Sequence, residues 1–177
     1  GVLMSRETIY LIDTNSLITP KNSYYPFDIA PEFWKSMAEK IEEGSIAILD
    51  LVKKEILKPA KKDDLANWME SLTIKRYINH GKQDIVNKYA EILQFIQQDS
   101  CYTEKALRQW TDGSTADPWL IAAAVVHGFT IVTFEKAVHI NANNPSGKAK
   151  IPNIAQQFQV KTTDLFGMIR DLGIRLC

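Results

Sequence analysis

Cysteine is scarce in this chain, and the two present, Cys101 and Cys177, stand far apart without a C-x-x-C pair. Three histidines, His80, His127 and His139, add no zinc-ligand spacing to them. The pattern argues against a disulfide framework or a zinc module, and reduced thiols in a cytoplasmic protein are the expectation. Neither charge is in surplus: 21 basic and 21 acidic residues cancel. Any contact with nucleic acid must therefore come from a local basic patch rather than a global positive field. No apolar run approaches the roughly 20 residues that span a bilayer, and the start lacks the charged-then-apolar pattern of a signal peptide. Glycine-rich phosphate loops are missing as well, because Ser146-Gly147-Lys148 has neither the spacing nor the preceding glycine of a P-loop.

What is present suits one core. With 45% hydrophobic residues in 177, a single domain can bury enough apolar surface to stand without cross-links. Residues 6–177 are assigned to that domain, and 1–5 to a tag remnant or disordered N-terminus. Three short apolar runs predict strands buried on both faces: Thr8 to Ile12, Ile46 to Leu49 and Phe129 to Thr133. Helical spacing predicts helices over Pro31 to Glu43, Leu51 to Leu57 ahead of Pro59, Asp63 to Leu72, Gln83 to Gln98 and Asp117 to Val126. A last strand is predicted within Phe158 to Thr162 and a last helix over Asp164 to Leu172, with a loop at Asn141 to Gly147. This alternation implies an α/β fold with a central parallel sheet and helices on both faces.

In open α/β sheets, ligands bind beyond the carboxyl ends of the strands. Asp13 and Glu135 follow two of the predicted strands and meet that condition. Asp117 opens the helix that feeds the third strand, and by the same rule it is expected at the opposite end of the sheet unless its helix tilts across the site. Taken singly, Asp13 and Asp117 also suit helix N-caps, with Pro118 in the favoured next position. Glu55 alone is a solvated helix residue, and the aromatic stripe of Phe33, Trp34 and Trp68 suits core or interface.

Four segments in order change those odds. Tyr10-Leu11-Ile12-Asp13-Thr14-Asn15, Val52-Lys53-Lys54-Glu55-Ile56, Asp117-Pro118-Trp119-Leu120-Ile121-Ala122 and Ile131-Val132-Thr133-Phe134-Glu135 together resemble the four acidic motifs of the PIN-domain nucleases. The resemblance runs from about Thr8 to the last helix. It is nearest to bacterial PIN proteins of the toxin–antitoxin kind, including VapC-type toxins, in a larger subgroup with extra helices. It implies a three-layer PIN-like fold and an Mg²⁺- or Mn²⁺-dependent endoribonuclease in which Asp13, Glu55, Asp117 and Glu135 are catalytic and hold the metal. Asn15 and Thr133 would be supporting polar residues. The chain departs from the pattern in its glutamate at 135, in bulky Trp119 and in a longer stretch between Glu55 and Asp117. Asp112 stands close before the third motif, so the fourth acid is open between Glu135 and Asp112. An RNA substrate, an antitoxin partner and a homodimer are further implications.

Physical chemistry points the same way. Two carboxylates about 5 Å apart repel by roughly 3 kcal/mol at an effective dielectric near 20, so a group of them needs a cation or a proton. Hard oxygen donors select Mg²⁺ or Mn²⁺ over softer metals. Lys53, Lys54, Lys58, Lys61 and Lys62 surround Glu55, and Lys136, His139, Lys148 and Lys150 follow Glu135. From these clusters, Lys54, Lys148 and Lys150 are the candidates to hold substrate phosphates. Two rivals stand beside this reading. One is a non-catalytic RNA- or protein-binding module, and the other is a phosphoacceptor receiver built on Asp13, Thr133 and Lys161.

Overall fold

The computed structural model describes residues 7–58 and 62–177. The stretch 1–5, Arg6 at the domain start, Pro59 as a helix terminator and Lys61 of the first basic cluster lie outside the described residues.

Five parallel strands make one sheet in the order β3-β2-β1-β4-β5. They are β1 (Tyr10–Ile12), β2 (Ile46–Leu49), β3 (Tyr77–Ile78), β4 (Thr130–Val132) and β5 (Thr162–Thr163). Leu11 is in register with Ala47 on one side and Ile131 on the other, so β1 is central. Every residue of β1 and β2 is buried. Successive side chains point to opposite faces, so burial of both sets means that helices cover both faces of the sheet. The protein is thus a three-layer α/β fold, as the alternation of runs predicts.

The helices are α1 (Asn15–Thr19), α2 (Pro31–Glu43), α3 (Asp50–Leu57), α4 (Asp64–Ser71), α5 (Gln83–Gln98), α6 (Glu104–Thr111), α7 (Ala116–His127), α8 (Ile151–Gln157) and α9 (Leu165–Leu172). A π-helical turn, Pro20–Tyr24, continues α1 directly. The ranges of β2, α2 and α5 coincide with the sequence reading. Asp63 and Asp164 cap rather than begin their helices, accepting the amides of Ala66 and Gly167. The strand expected within Phe158 to Thr162 is corrected: Phe158 closes α8, Gln159 turns through a left-handed φ of 58°, and β5 starts only at Thr162. Buried Ile151, Ile154 and Ala155 give α8 a core-facing stripe that draws this segment into helix. β3 and α6 were not foreseen.

The predicted aromatic stripe is core. Phe33 and Trp34 are buried, and Phe27 stacks on Trp34 at 4.2 Å while Trp68 meets Trp34 edge-on at 5.0 Å. The receiver-type arrangement is ruled out by position. Lys161 shares a cleft with Thr8, Gly128 and Thr130 at the amino ends of the strands, away from Asp13 and Thr133 at the carboxyl ends.

Helix α7 decides where Asp117 goes. It is apolar all round, and Pro118 to Ala124 are buried, as suits a helix enclosed by other elements. At its end Gly128 adopts a left-handed φ of 75°, and the amides of Gly128 and Phe129 both return to the Ala124 carbonyl. The chain therefore reverses and enters β4 two residues later. A helix that hands its carboxyl end to the amino end of a strand runs antiparallel to that strand, which puts the helix N-terminus at the strand's carboxyl end. The expectation that Asp117 lies at the opposite end of the sheet is thus corrected, and no special tilt is required. At about 1.5 Å per residue, α7 is roughly 18 Å long and reaches past the three-residue strand it feeds.

Ala122, Ala123 and Ala124 are buried, so their small size sets how closely α7 approaches its neighbours. Ala123→Leu is expected to lower stability by about 1–3 kcal/mol through overpacking, measured as a reduced urea midpoint with an unchanged slope.

Candidate functional site

Asp13 ends β1 and is held by the neighbouring strand. Its amide donates to the Val132 carbonyl at 2.9 Å, and the residue is only 6% exposed. Thr133, one residue beyond β4, donates its hydroxyl to Asp13 Oδ2 at 3.0 Å. The same hydroxyl oxygen accepts the Glu135 amide at 3.1 Å. Thr133 thus links the ends of β1 and β4. Asn15, named with it as a supporting polar residue, is exposed. Thr14 is buried, and its Oγ1 lacks a partner among them.

Neither aspartate is an N-cap. Thr14 and Thr115 occupy the caps of α1 and α7. Burial pushes the Asp13 carboxyl up to about 6, against the Thr133 hydrogen bond, and the charges of Glu135 and Glu55 add to the rise. Burial likewise raises Asp117 to about 7, helped by the charges of Asp13, Glu135 and Glu55 and opposed by Lys150. The charges of Glu55 and Glu135 thus bear on both aspartates, and that of Asp13 bears on Asp117. Asp112 behaves differently. It is exposed, it closes a local turn by accepting the Ser114 amide and hydroxyl, and these bonds together with Lys58 hold its carboxyl below the ordinary range.

An open cleft of about 400 Å³ is lined by Asp112, Asp117, Glu135, Lys148 and Lys150, with Trp110 and Thr115 among its other walls. Two of the three candidate phosphate ligands are therefore beside the acids. Lys54 is exposed on α3 and does not line this cleft. Glu135 has a second attachment, since its Oε2 accepts the Ile151 amide at 2.8 Å. It supplies the cap that Lys150, at the N-cap of α8, does not. Among the described residues no three His, Cys, Asp or Glu side chains stand in metal-ligating proximity. The four acids are coupled through space without forming a closed ligand shell. In donor chemistry the set suits a hard divalent cation, which would offset both the burial that chiefly raises Asp13 and Asp117 and the neighbouring negative charges that add to it.

A pair overlooked in the sequence sits at the same edge. Asp50 directly follows β2 as Asp13 follows β1, and it accepts the His80 amide at 3.3 Å and meets His80 Nδ1 at 2.7 Å. His80 follows β3 and packs edge-on against Trp119, at 4.8 Å. The strand-end rule applied to Leu49-Asp50 would have found Asp50. Nothing local marks His80, because β3 is only two residues long.

A family model described as a domain of unknown function, DUF4411, matches residues 10–176. The chain belongs to the DUF4411 family. A search of the curated proteins finds no match. The DUF4411 match begins at Tyr10, the first residue of β1, and takes in all four acids and both lysines of the cleft.

Acids raised in the fold bind protons that the unfolded chain, titrating near pH 4, has already released. These DUF4411 carboxyls therefore contribute stability that is fully present below about pH 4 and is lost as pH rises through about 6 and 7. Without divalent metal, the melting temperature is expected to fall on this account from about pH 4 to about pH 7 and then level off, and Asp13→Asn should flatten that fall. An Asp13→Asn profile as steep as the wild type's would contradict the assignment. Thr133→Val removes the hydrogen bond that opposes the rise of Asp13, so the pH-dependent fall in melting temperature should extend to higher pH than in the wild type.

Proposed function

We propose that this protein is a metal-dependent ribonuclease that hydrolyses RNA phosphodiester bonds. The observation that carries the reading is geometric: Thr133 bridges Asp13 and the Glu135 amide at the carboxyl ends of β1 and β4, and Glu135 shares a cleft with Asp117, while burial raises both aspartates. Such an arrangement is costly to a fold unless something positive enters it. Mg²⁺ or Mn²⁺ held there would supply water activation and neutralise charge on the phosphate.

The chain's own residues would divide the remaining work. Asp13 and Asp117 are the principal ligands, and Thr133 orients Asp13. Glu135, coupled to both aspartates, fits the fourth position better than Asp112. Lys148 and Lys150, beside Asp117 and Glu135 in the cleft, would take phosphates at the rim. Lys54 would act, if at all, from outside the cleft. The four ordered motifs support a PIN-type nuclease of the toxin–antitoxin kind, with an antitoxin partner and a homodimer as its assemblies. Among the described residues no helix is long and apolar enough to cross a membrane, and a cytoplasmic setting goes with the RNA substrate.

One observation favours a second reading, a non-catalytic RNA- or protein-binding module: Glu135 spends one carboxylate oxygen on the start of α8. Thermal melting separates the two. A ligand at 100 times its dissociation constant stabilises a fold by about 2.7 kcal/mol, so Mn²⁺ should raise the melting temperature of the wild type and not of Asp13→Asn. No rise supports the module.

The decisive assay is the purified protein on RNA with Mg²⁺ or Mn²⁺. Cleavage should be lost in both Asp13→Asn and Asp117→Asn, and persistence in both would refute the nuclease. Lys148→Glu with Lys150→Glu should weaken RNA binding and flatten its dependence on salt, since each phosphate contact adds about 0.7–0.9 to the logarithmic slope.

A further inference from the structure

Three aromatic rings from three separate segments meet, one of them Phe134, the neighbour of Glu135. Phe134 lies between Thr133 and Glu135 and is half-buried, as is Phe166 of α9. Tyr24, the last residue of the π-helical turn, is 51% exposed. Its ring centroid is 5.6 Å from that of Phe166 and 6.4 Å from that of Phe134, and the two phenylalanines are 6.0 Å apart. The phenylalanines thus support Tyr24 from one side while half of its surface remains in water.

An aromatic ring supported but not covered forgoes the burial its size would allow. Its backbone is unusual too: the Tyr25 amide bonds back to the Pro20 carbonyl at 2.7 Å, the five-residue spacing of a π turn, a geometry frequent at functional sites. The turn continues α1, which starts two residues after Asp13, and Phe134 is the immediate neighbour of Glu135. Phe134, Glu135 and Lys136 also line one small depression with Asp164. An occupant suited to this place is flat and apolar on its faces and carries a negative charge at its edge, for Lys136 and for the cation of the acidic site. A nucleobase with its phosphate has those properties, and only an unpaired base can offer its face to a protein ring.

We propose that Tyr24, backed by Phe134 and Phe166, is a stacking platform for an unpaired base of single-stranded RNA next to the phosphate at the acidic site. The proposal rests on the nuclease reading for its choice of RNA. It makes Tyr24 a binding residue rather than a catalytic one.

The test uses a short single-stranded RNA carrying 2-aminopurine and a hydrolysis-resistant phosphorothioate backbone, and a duplex of the same sequence, in Mn²⁺ so that the acids are neutralised while hydrolysis does not enter. Wild type should quench the 2-aminopurine on binding. Tyr24→Ala should weaken single-strand binding about tenfold or more and abolish the quench, with duplex binding and melting temperature unchanged. Tyr24→Trp should retain both binding and quench, and Phe166→Ala should reproduce part of the loss. The proposal is overturned by unaltered single-strand affinity in Tyr24→Ala, by absence of binding in the wild type, or by a Tyr24→Ala variant that keeps RNA binding but changes sedimentation, which would mark a protein interface. Base stacking without cleavage of the unmodified RNA in Mn²⁺ would sink the hydrolytic reading and leave the platform standing.

Discussion

Burial of two carboxyl groups at one edge of the sheet, within reach of further acids, is the cost that the surrounding structure has to sustain. Asp13 cannot retreat, because its amide belongs to the β1–β4 ladder and its side chain is gripped by Thr133. Asp117 cannot either, because it stands on the first turn of a helix enclosed by core. The rigidity of β1, β4 and α7 is therefore what keeps like charges close. A looser fold would let them separate and return to ordinary acidity. This is why the apolar runs and the alanine-rich helix belong to the account of the site as much as the acids do: burying strands on both faces gives the sheet the cohesion to hold the acids in place.

How much was legible in the sequence depended on whether the signal was local. The strand over Ile46 to Leu49 and the helices over Pro31 to Glu43 and Gln83 to Gln98 are set by apolar spacing within the segment, and they were read to the residue. Asp13 was legible because a strand end can be seen in the chain. Asp117 was recognised from motif order but placed by a mistaken direction rule, which overlooked that a crossover helix runs against its strand. β3 was missed because two residues carry no periodicity; it forms through pairing with β2. α8 was missed because its pattern makes sense only once the core it faces is known. Glu135 offered no sign that it caps that helix, since its partner Ile151 is sixteen residues away.

Balanced composition conceals an uneven distribution. The chain's 21 acidic and 21 basic residues sum to nothing, yet Lys148 and Lys150 share a cleft with Asp112, Asp117 and Glu135. A polyanion approaching that cleft meets both signs within a short distance. Cations at a rim and acids in the interior form a gradient that favours phosphate only when the acids are themselves neutralised. Net charge, taken over the whole chain, is blind to such an arrangement.

The bond from the Ile151 amide to Glu135 Oε2 makes one oxygen atom common to two tasks. Any ligand that recruits this lone pair for itself leaves the first turn of α8 short of an acceptor, and any shift of α8 withdraws the carboxylate from the acidic group. Occupancy of the cleft and the seating of residues 136–150, which span Glu135 to α8, are thereby in competition for the same atom. That competition works in both directions, so a change on the far side of α8 would be felt at Asp13 and Asp117 through displacement of the Glu135 carboxylate.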